Sequence, residues 1–227
     1  MSPKSPKLPG SAVDRLSATY HYLLRNKKDP IQHGSGAMLN RNVRDAIVSP
    51  LIREEMVTSL ESCSRLGFCI GKISEASIQV QENVYLVTKF DCGFHQISGD
   101  DLFLAAATTE SVIDEDQNPK YWPWHLEAYS GNGSIKAVVL AQPAAIMAVA
   151  SSGKLPDPYL LSEAAEILGQ TQLLKPDLQS ISEEVKHSKH LVFPGIGILS
   201  CGETLSDVVI NLEIINRWCE ISLMVNT

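Results

Sequence analysis

The stretch Lys136 to Pro143, Lys-Ala-Val-Val-Leu-Ala-Gln-Pro, constrains this chain more than any other. Ala137 to Ala141 is a short, unbroken apolar run of the kind that makes a buried strand. Gln142 breaks the run, and Pro143 suits the first turn of a helix, where its missing N–H would have had no helical partner. The helix that follows is Ala144 to Ala150, closed by Ser151-Ser152-Gly153. A strand running straight into a helix leaves its last side chains at the end of a sheet, where open sheets build sites.

The 227 residues suffice for one large domain with a full core. Hydrophobic residues make up 44% and charged ones 20%, the balance of a soluble globule. A net charge of −7 argues against a nucleic-acid partner, whose phosphates need an excess of Lys and Arg. No apolar run approaches the ~20 residues of a membrane span. The opening Met-Ser-Pro-Lys-Ser-Pro-Lys-Leu-Pro-Gly lacks the apolar core of a signal peptide. Cys63, Cys69, Cys92, Cys201 and Cys219, with no C-x-x-C pair, then read as reduced, mostly buried thiols, and the expected compartment is cytoplasmic.

Periodicity organises the rest. Residues 1–12 read as a disordered Pro-rich tail and 13–42 as an extension of one helix (Ala12 to Asn26) and a polar loop; 43–227 form the main domain. A helical pattern runs from Val43 to Leu66, interrupted at Pro50. Ile73 to Val80 and Val84 to Thr88 read as strands joined by a polar turn, and Phe103 to Thr109 as a third. Trp122 to Ser130 reads as a helix; Leu160 to Gly169 and Leu178 to Ser188 are helical or partly so. Leu191 to Phe193 and Ile196 to Cys201 are short apolar strands. Thr204-Leu205-Ser206-Asp207 resembles a capping box. The closing helix carries Leu205, Val208, Val209, Leu212, Ile215, Cys219 and Leu223 on one face.

Four stretches, over roughly residues 43–224, resemble the class II aldolase and adducin head domain family. Gly71-Lys72-Ile73-Ser74 resembles its Gly-Asn-Ile-Ser turn. Leu86 to Asp91 with Ile97 to Leu102 resembles its "ITPSG…LTPEDL" stretch. His125-Leu126-Glu127-Ala128-Tyr129 leading to Ala137-Val138-Val139 resembles "H-x-x-x-Y…AVVHTH", and Gly197 to Thr204 resembles "HGVVVWGKTL". The resemblance implies an α/β fold: a three-layer α/β/α class II aldolase-like domain with a mixed, largely antiparallel central sheet. It also implies a homo-oligomer, often a cyclic tetramer with sites between subunits.

The departures from that family bear on activity. Its three histidines bind a divalent metal that stabilises an enediolate; the resemblance places them at Leu140, Gln142 and Ile196. Leucine and isoleucine have no lone pair to give, and a glutamine amide alone is a poor zinc ligand, so no metal and no other cofactor is expected. The family's acid/base glutamate falls at Tyr121, and its phosphate-binding turns carry Lys72, Lys89, Phe90 and Asp91 instead.

What remains is a candidate cleft. Tyr121, His125 and Gln142 are its candidate catalytic residues, with Tyr121 or His125 as proton donors or acceptors. Lys72 and Lys89 are candidate holders of an anionic group. Phe90, Leu140 and Ile196 make the site apolar, so the expected partner is a small, rather hydrophobic molecule. Each residue also has a structural reading: His125 and Gln142 as hydrogen-bonders, Tyr121 as packing beside Trp122 and Trp124, and the lysines as solvated surface charges. Two functions therefore stand. One is a metal-independent lyase, isomerase or cyclase on this scaffold; the other is a non-catalytic binding or assembly module, as adducin heads are. Two further patterns, Cys92 with His95 and His187 with His190, offer a nucleophile pair and a helical i, i+3 ligand pair without a third member.

Overall fold

The structure, a computed structural model, describes residues 48–69, 72–106, 119–168, 173–175 and 177–225. The expected tail, the helix over Ala12 to Asn26, the loop after it and Gly71 of the first motif lie outside these residues. The first described helix, α1 (Pro50–Arg65), starts where the sequence pattern is interrupted: Ser49 caps it, its Oγ accepting the N–H of Leu51 at 3.3 Å. Pro50 therefore opens a helix, at the position where proline costs no hydrogen bond. Its buried face is Met56, Leu60 and Cys63.

The strands follow the alternation read from sequence: β1 (Glu75–Gln81), β2 (Val84–Thr88) and β3 (Leu102–Ala106). Glu82 and Asn83 make the turn between β1 and β2, with Asn83 at φ 57°, a left-handed conformation that asparagine tolerates. The Ser98–Asp101 segment closes as a capping box before β3: Asp101 Oδ2 accepts both the Ser98 N–H at 3.0 Å and its hydroxyl at 2.7 Å. After α2 (Trp122–Gly131) comes β4 (Ala137–Ala141), the opening apolar run, and then α3 (Ala144–Ser151). Short helices α4 (Ser162–Leu168) and α5 (Leu178–Glu184) precede β5 (His190–Phe193), β6 (Gly197–Gly202) and α6 (Leu205–Val225).

The six strands form one sheet in the order β3-β2-β1-β4-β6-β5. Every neighbouring pair is antiparallel, and the parallel component among the described residues is an isolated bridge between Leu173 and Val192. Ala137, Val139 and Ala141 of β4 face the core shared with α1, α3 and α6; Val138 and Leu140 face the core shared with α2 and α5. Burial on both sides explains why this antiparallel strand is apolar throughout instead of alternating. Val138, Val139 and Leu140 each contribute roughly 1.5–3 kcal/mol by leaving water, and the two alanines less. The layers are thus helices, sheet, helices.

Two glycines set close approaches. A Cβ at Gly131 would lie 2.4 Å from the Ser182 carbonyl oxygen, so the end of α2 meets α5 through a bare Cα. A Cβ at Gly197 would lie 2.3 Å from the Ala141 carbonyl oxygen, where β6 starts beside the end of β4.

The closing helix departs from its expected stripe. Its capping box is present, with Asp207 N–H to Thr204 Oγ1 at 3.1 Å and Thr204 N–H to Asp207 Oδ2 at 3.2 Å. Trp218 and Ser222 complete the buried face, while Val209 is half-buried and Leu223 exposed. A helix of 21 residues spans ~31 Å, well beyond the six-residue strand β6, and Leu223, Met224 and Val225 at its end are exposed. The His187 and His190 pair is also corrected. His190 opens β5 and is buried, its Nδ1 2.8 Å from Ser200 Oγ, while His187 sits in the turn before it, so the two share no helix.

Candidate functional site

Antiparallel pairing brings the starts of β1, β3 and β6 and the ends of β2, β4 and β5 to one end of the sheet: Glu75 stands opposite Leu140, Thr88 opposite Leu102, Ala141 opposite Ile198, and Phe193 opposite Gly197. Lys72 precedes β1 at this end, Lys89 and Phe90 follow β2, Leu140 lies near the end of β4 with Gln142 just after it, and Ile196 lies between β5 and β6. Tyr121 begins α2, and His125 lies one turn inside that helix.

The two lysines do not stand alone. Lys72, largely exposed, is ion-paired with Asp91, and Lys89 Nζ lies 3.9 Å from Asp101 Oδ1. Asp91 holds a left-handed φ of 67°, which turns the loop after β2 back toward Lys72. An anionic ligand at this rim competes with two carboxylates already in place. Phe90 beside them is 50% exposed, an apolar face at this end of the sheet.

Leu140 is fully buried. Gln142 is nearly so; its backbone N–H donates to the Phe68 carbonyl at 2.8 Å and its Oε1 accepts the Ser74 hydroxyl at 3.2 Å. The amide nitrogen, Nε2, is buried and has no partner among the described residues. Ile196 is half-buried against the α2 side of the core. These three positions do not fit the divalent metal that the resemblance implies. Two lack donor atoms, and no three His, Cys, Asp or Glu side chains among the described residues are grouped to hold an ion.

His125 is enclosed. Its Nδ1 lies 2.7 Å from Ser77 Oγ, which in turn lies 2.8 Å from the Tyr129 hydroxyl; that hydroxyl donates to the Ser77 carbonyl at 3.0 Å. With the phenolic hydrogen used there, the Ser77 hydroxyl donates to Tyr129 and the imidazole Nδ1–H donates to Ser77. Nε2 is then the lone-pair nitrogen, and it has no partner among the described residues. Burial lowers the imidazole pKa to about 3, so the ring is neutral at pH 7. Tyr121 is half-buried, its ring edge-on to Trp124 at 4.8 Å with Lys120 Nζ above it at 5.1 Å; Trp124 in turn packs on Phe193 at 4.5 Å.

Sequence reasoning missed Glu75. It is 3% exposed and, like Ser77 two residues on, it points from β1 toward α2. Its Oε2 accepts the backbone N–H of Tyr121 at 2.8 Å, which caps α2 from another strand, since the Tyr121 side chain caps nothing. Burial pushes its pKa up to about 7, against the pull of the Tyr121 and Lys120 N–H groups and the Lys120 charge. The available signal was a carboxylate and a serine on alternate positions of a strand, Glu75-x-Ser77; that pattern ordinarily marks a solvent face. The Cys92 thiol moves the wrong way for a nucleophile: burial raises it to about 11.

A family model described as Class II Aldolase and Adducin N-terminal domain matches residues 54–223. A curated relative in Pseudomonas aeruginosa, named "Putative aldolase class 2 protein", is 23% identical over 149 residues, 62% of this chain and 58% of its own length. The chain thus spans little more than half of that relative. Among solved structures, L-fuculose 1-phosphate aldolase from Glaciozyma antarctica superposes with a TM-score of 0.67 at 18% identity, covering 89% of this chain and 80% of that one. An aldolase II superfamily protein from Pseudomonas syringae gives 0.66 at 18% identity, covering 81% and 79%. These likenesses establish the fold.

Proposed function

This chain belongs to the class II aldolase and adducin N-terminal domain family, and we propose that it is a metal-independent enzyme of that fold, a lyase, isomerase or cyclase. Its substrate is a small, rather apolar molecule carrying a carbonyl or anionic oxygen. The observation that carries the reading is Gln142. A buried amide N–H without a partner costs about 1–3 kcal/mol, and a ligand oxygen at that place removes the cost. Leu140 and Ile196 on either side replace donors with apolar surface, which suits a less polar molecule than a sugar phosphate. Phe90 supplies an apolar face at the rim, and Lys72 and Lys89 exchange their carboxylate partners for an anionic group. Tyr121 and the Ser77–His125–Tyr129 chain supply hydroxyl and imidazole groups for proton movement. No helix among the described residues is long and apolar enough to cross a membrane. Five free thiols suit a reducing cytoplasm, and the same reading takes the chain as a homo-oligomer.

The test is a ligand and turnover screen of the full chain with metal content assayed on the same sample. Small α-hydroxy ketones and aryl carboxylates are the probes, before and after EDTA. Turnover unchanged by EDTA and lost in Gln142→Leu is expected. A stoichiometric metal whose removal abolishes turnover overturns the reading. One observation favours the second reading, a non-catalytic module: His125 and Leu140 have no solvent exposure. Failure of every probe to bind or react would favour it.

A further inference from the structure

Glu75 is a buried carboxyl group that the reading above leaves without a role. We infer that Glu75 is the proton-transfer residue of this site, its carboxylate delivered from β1 to the start of α2, beside the apolar Leu140. The inference rests on the proposed function, and three observations support it. The register places Glu75 directly opposite Leu140, at the sheet end where the candidate residues gather. Its carboxylate is fixed by the Tyr121 N–H at 2.8 Å, so it is held in one orientation at the head of a ten-residue helix. A carboxylate has about four acceptor sites, so the contacts to Tyr121 and Lys120 leave lone pairs for a proton.

The surroundings tune it. Lys120 is the charged group whose attraction opposes its burial. On the same side of the sheet lie His125, neutral, the phenols of Tyr85, Tyr121 and Tyr129, and the Cys201 thiol; the helices packed there also carry Glu127 on α2 and Glu183 and Glu184 on α5. Leu140 from β4 brings no charge. A base works best when its pKa lies near the working pH, and burial moves Glu75 there, to about 7. In the transfer, a substrate carbon–hydrogen bond next to a carbonyl breaks. The proton goes to Glu75, and the electron pair moves onto the carbonyl oxygen, which takes the unpaired N–H of Gln142. In an α-hydroxy ketone the hydroxyl proton then passes to that oxygen, and return of the Glu75 proton to the former carbonyl carbon completes an isomerisation to the hydroxy aldehyde with no net change in atoms or charge.

The test is exchange of the α-hydrogens of hydroxyacetone and 2-hydroxyacetophenone in D2O, followed by proton NMR, with wild type, Glu75→Gln and Tyr121→Phe, their folding checked by thermal melting. Wild type is expected to catalyse exchange with an inflection near pH 7, and Glu75→Gln to lose about 10²-fold or more while Tyr121→Phe retains the inflection. Exchange at the wild-type rate in Glu75→Gln overturns the inference and leaves the proposed function standing. If wild type exchanges neither probe, the proposed function fails for this substrate class. Carbon-13 NMR of side-chain-labelled glutamate then decides for Glu75. A carboxyl titrating near 7 and absent from Glu75→Gln upholds a poised acid at this place, and titration in the ordinary carboxylate range overturns it.

Discussion

Glu75 Oε2 accepts the backbone N–H of Tyr121 at 2.8 Å, so a strand carboxylate caps the helix that carries His125. The contact joins β1 to α2 across the core and places a half-neutral acid where the sequence shows a tyrosine.

Burial of Glu75 makes stability depend on pH. Its folded pKa, about 7, lies above the model-compound value of 4.5, so the folded state holds the proton more tightly. The contribution is fully present below pH ~4.5 and is lost as pH rises through ~7, an effect of up to about 3 kcal/mol. Glu75→Gln keeps an oxygen for the Tyr121 N–H and removes the charge. It is expected to be more stable than wild type at pH 8 and to lose that advantage at pH 5, read by urea unfolding at both.

The two enclosed histidines act in the opposite direction. His125 and His190 are both lowered to about 3 by burial, so the unfolded chain takes up protons first as pH falls below 6.5. Stability they contribute at pH 7 is lost as pH falls from about 6.5 toward 3. In Glu75→Gln, where the carboxyl no longer opposes the trend, unfolding free energy should fall steadily over that range. Imidazole NMR signals of both residues should not titrate above pH 5.

Removing the Ser77 hydroxyl breaks two contacts at once, to His125 Nδ1 and to Tyr129. Ser77→Ala is expected to cost roughly 1–3 kcal/mol, because a buried N–H loses its acceptor. Chemical denaturation against wild type at pH 7 checks it; a cost below 0.5 kcal/mol, on the order of a surface substitution, would mean the network carries no strain when opened.

Gly131→Ala and Gly197→Ala drive a methyl group to within 2.4 and 2.3 Å of backbone oxygens. Both are expected to lower stability by at least ~2 kcal/mol, since backbone must move to relieve the clash. Gly133→Ala is the control, with nothing within 4 Å of the new methyl. Thermal melts of the three variants in one buffer test the ranking.

The Lys72–Asp91 pair is exposed, and Lys72→Ala should change stability by no more than ~1 kcal/mol. If Lys72 holds an anionic ligand, the same variant weakens binding of aryl carboxylates, and more so at low salt, which a titration at two ionic strengths would read.

Much of the fold was legible because local periodicity and burial agree. Ala137–Ala141, Val84–Thr88 and the helix after Thr204 lie where their patterns put them. Leu223 escaped prediction because a helical period does not say where burial along a helix ends. His190 escaped because i, i+3 spacing has meaning on a helix and none across a turn into β5. Of the site, the gathering of Lys72, Lys89, Phe90, Gln142 and Ile196 at one sheet end follows from strand order. Their pairing does not: Lys72 with Asp91 and Lys89 with Asp101 are contacts between loops.

The sequence by itself determined the layered α/β scaffold and put side chains without metal-donor atoms at Leu140 and Ile196, since chain periodicity and side-chain chemistry are local properties. Tertiary structure alone decided that Glu75 is buried, faces α2 and titrates near 7. A carboxylate's solvation and its hydrogen-bond donors come from segments far away in the chain, here Tyr121, and no local pattern in β1 encodes them.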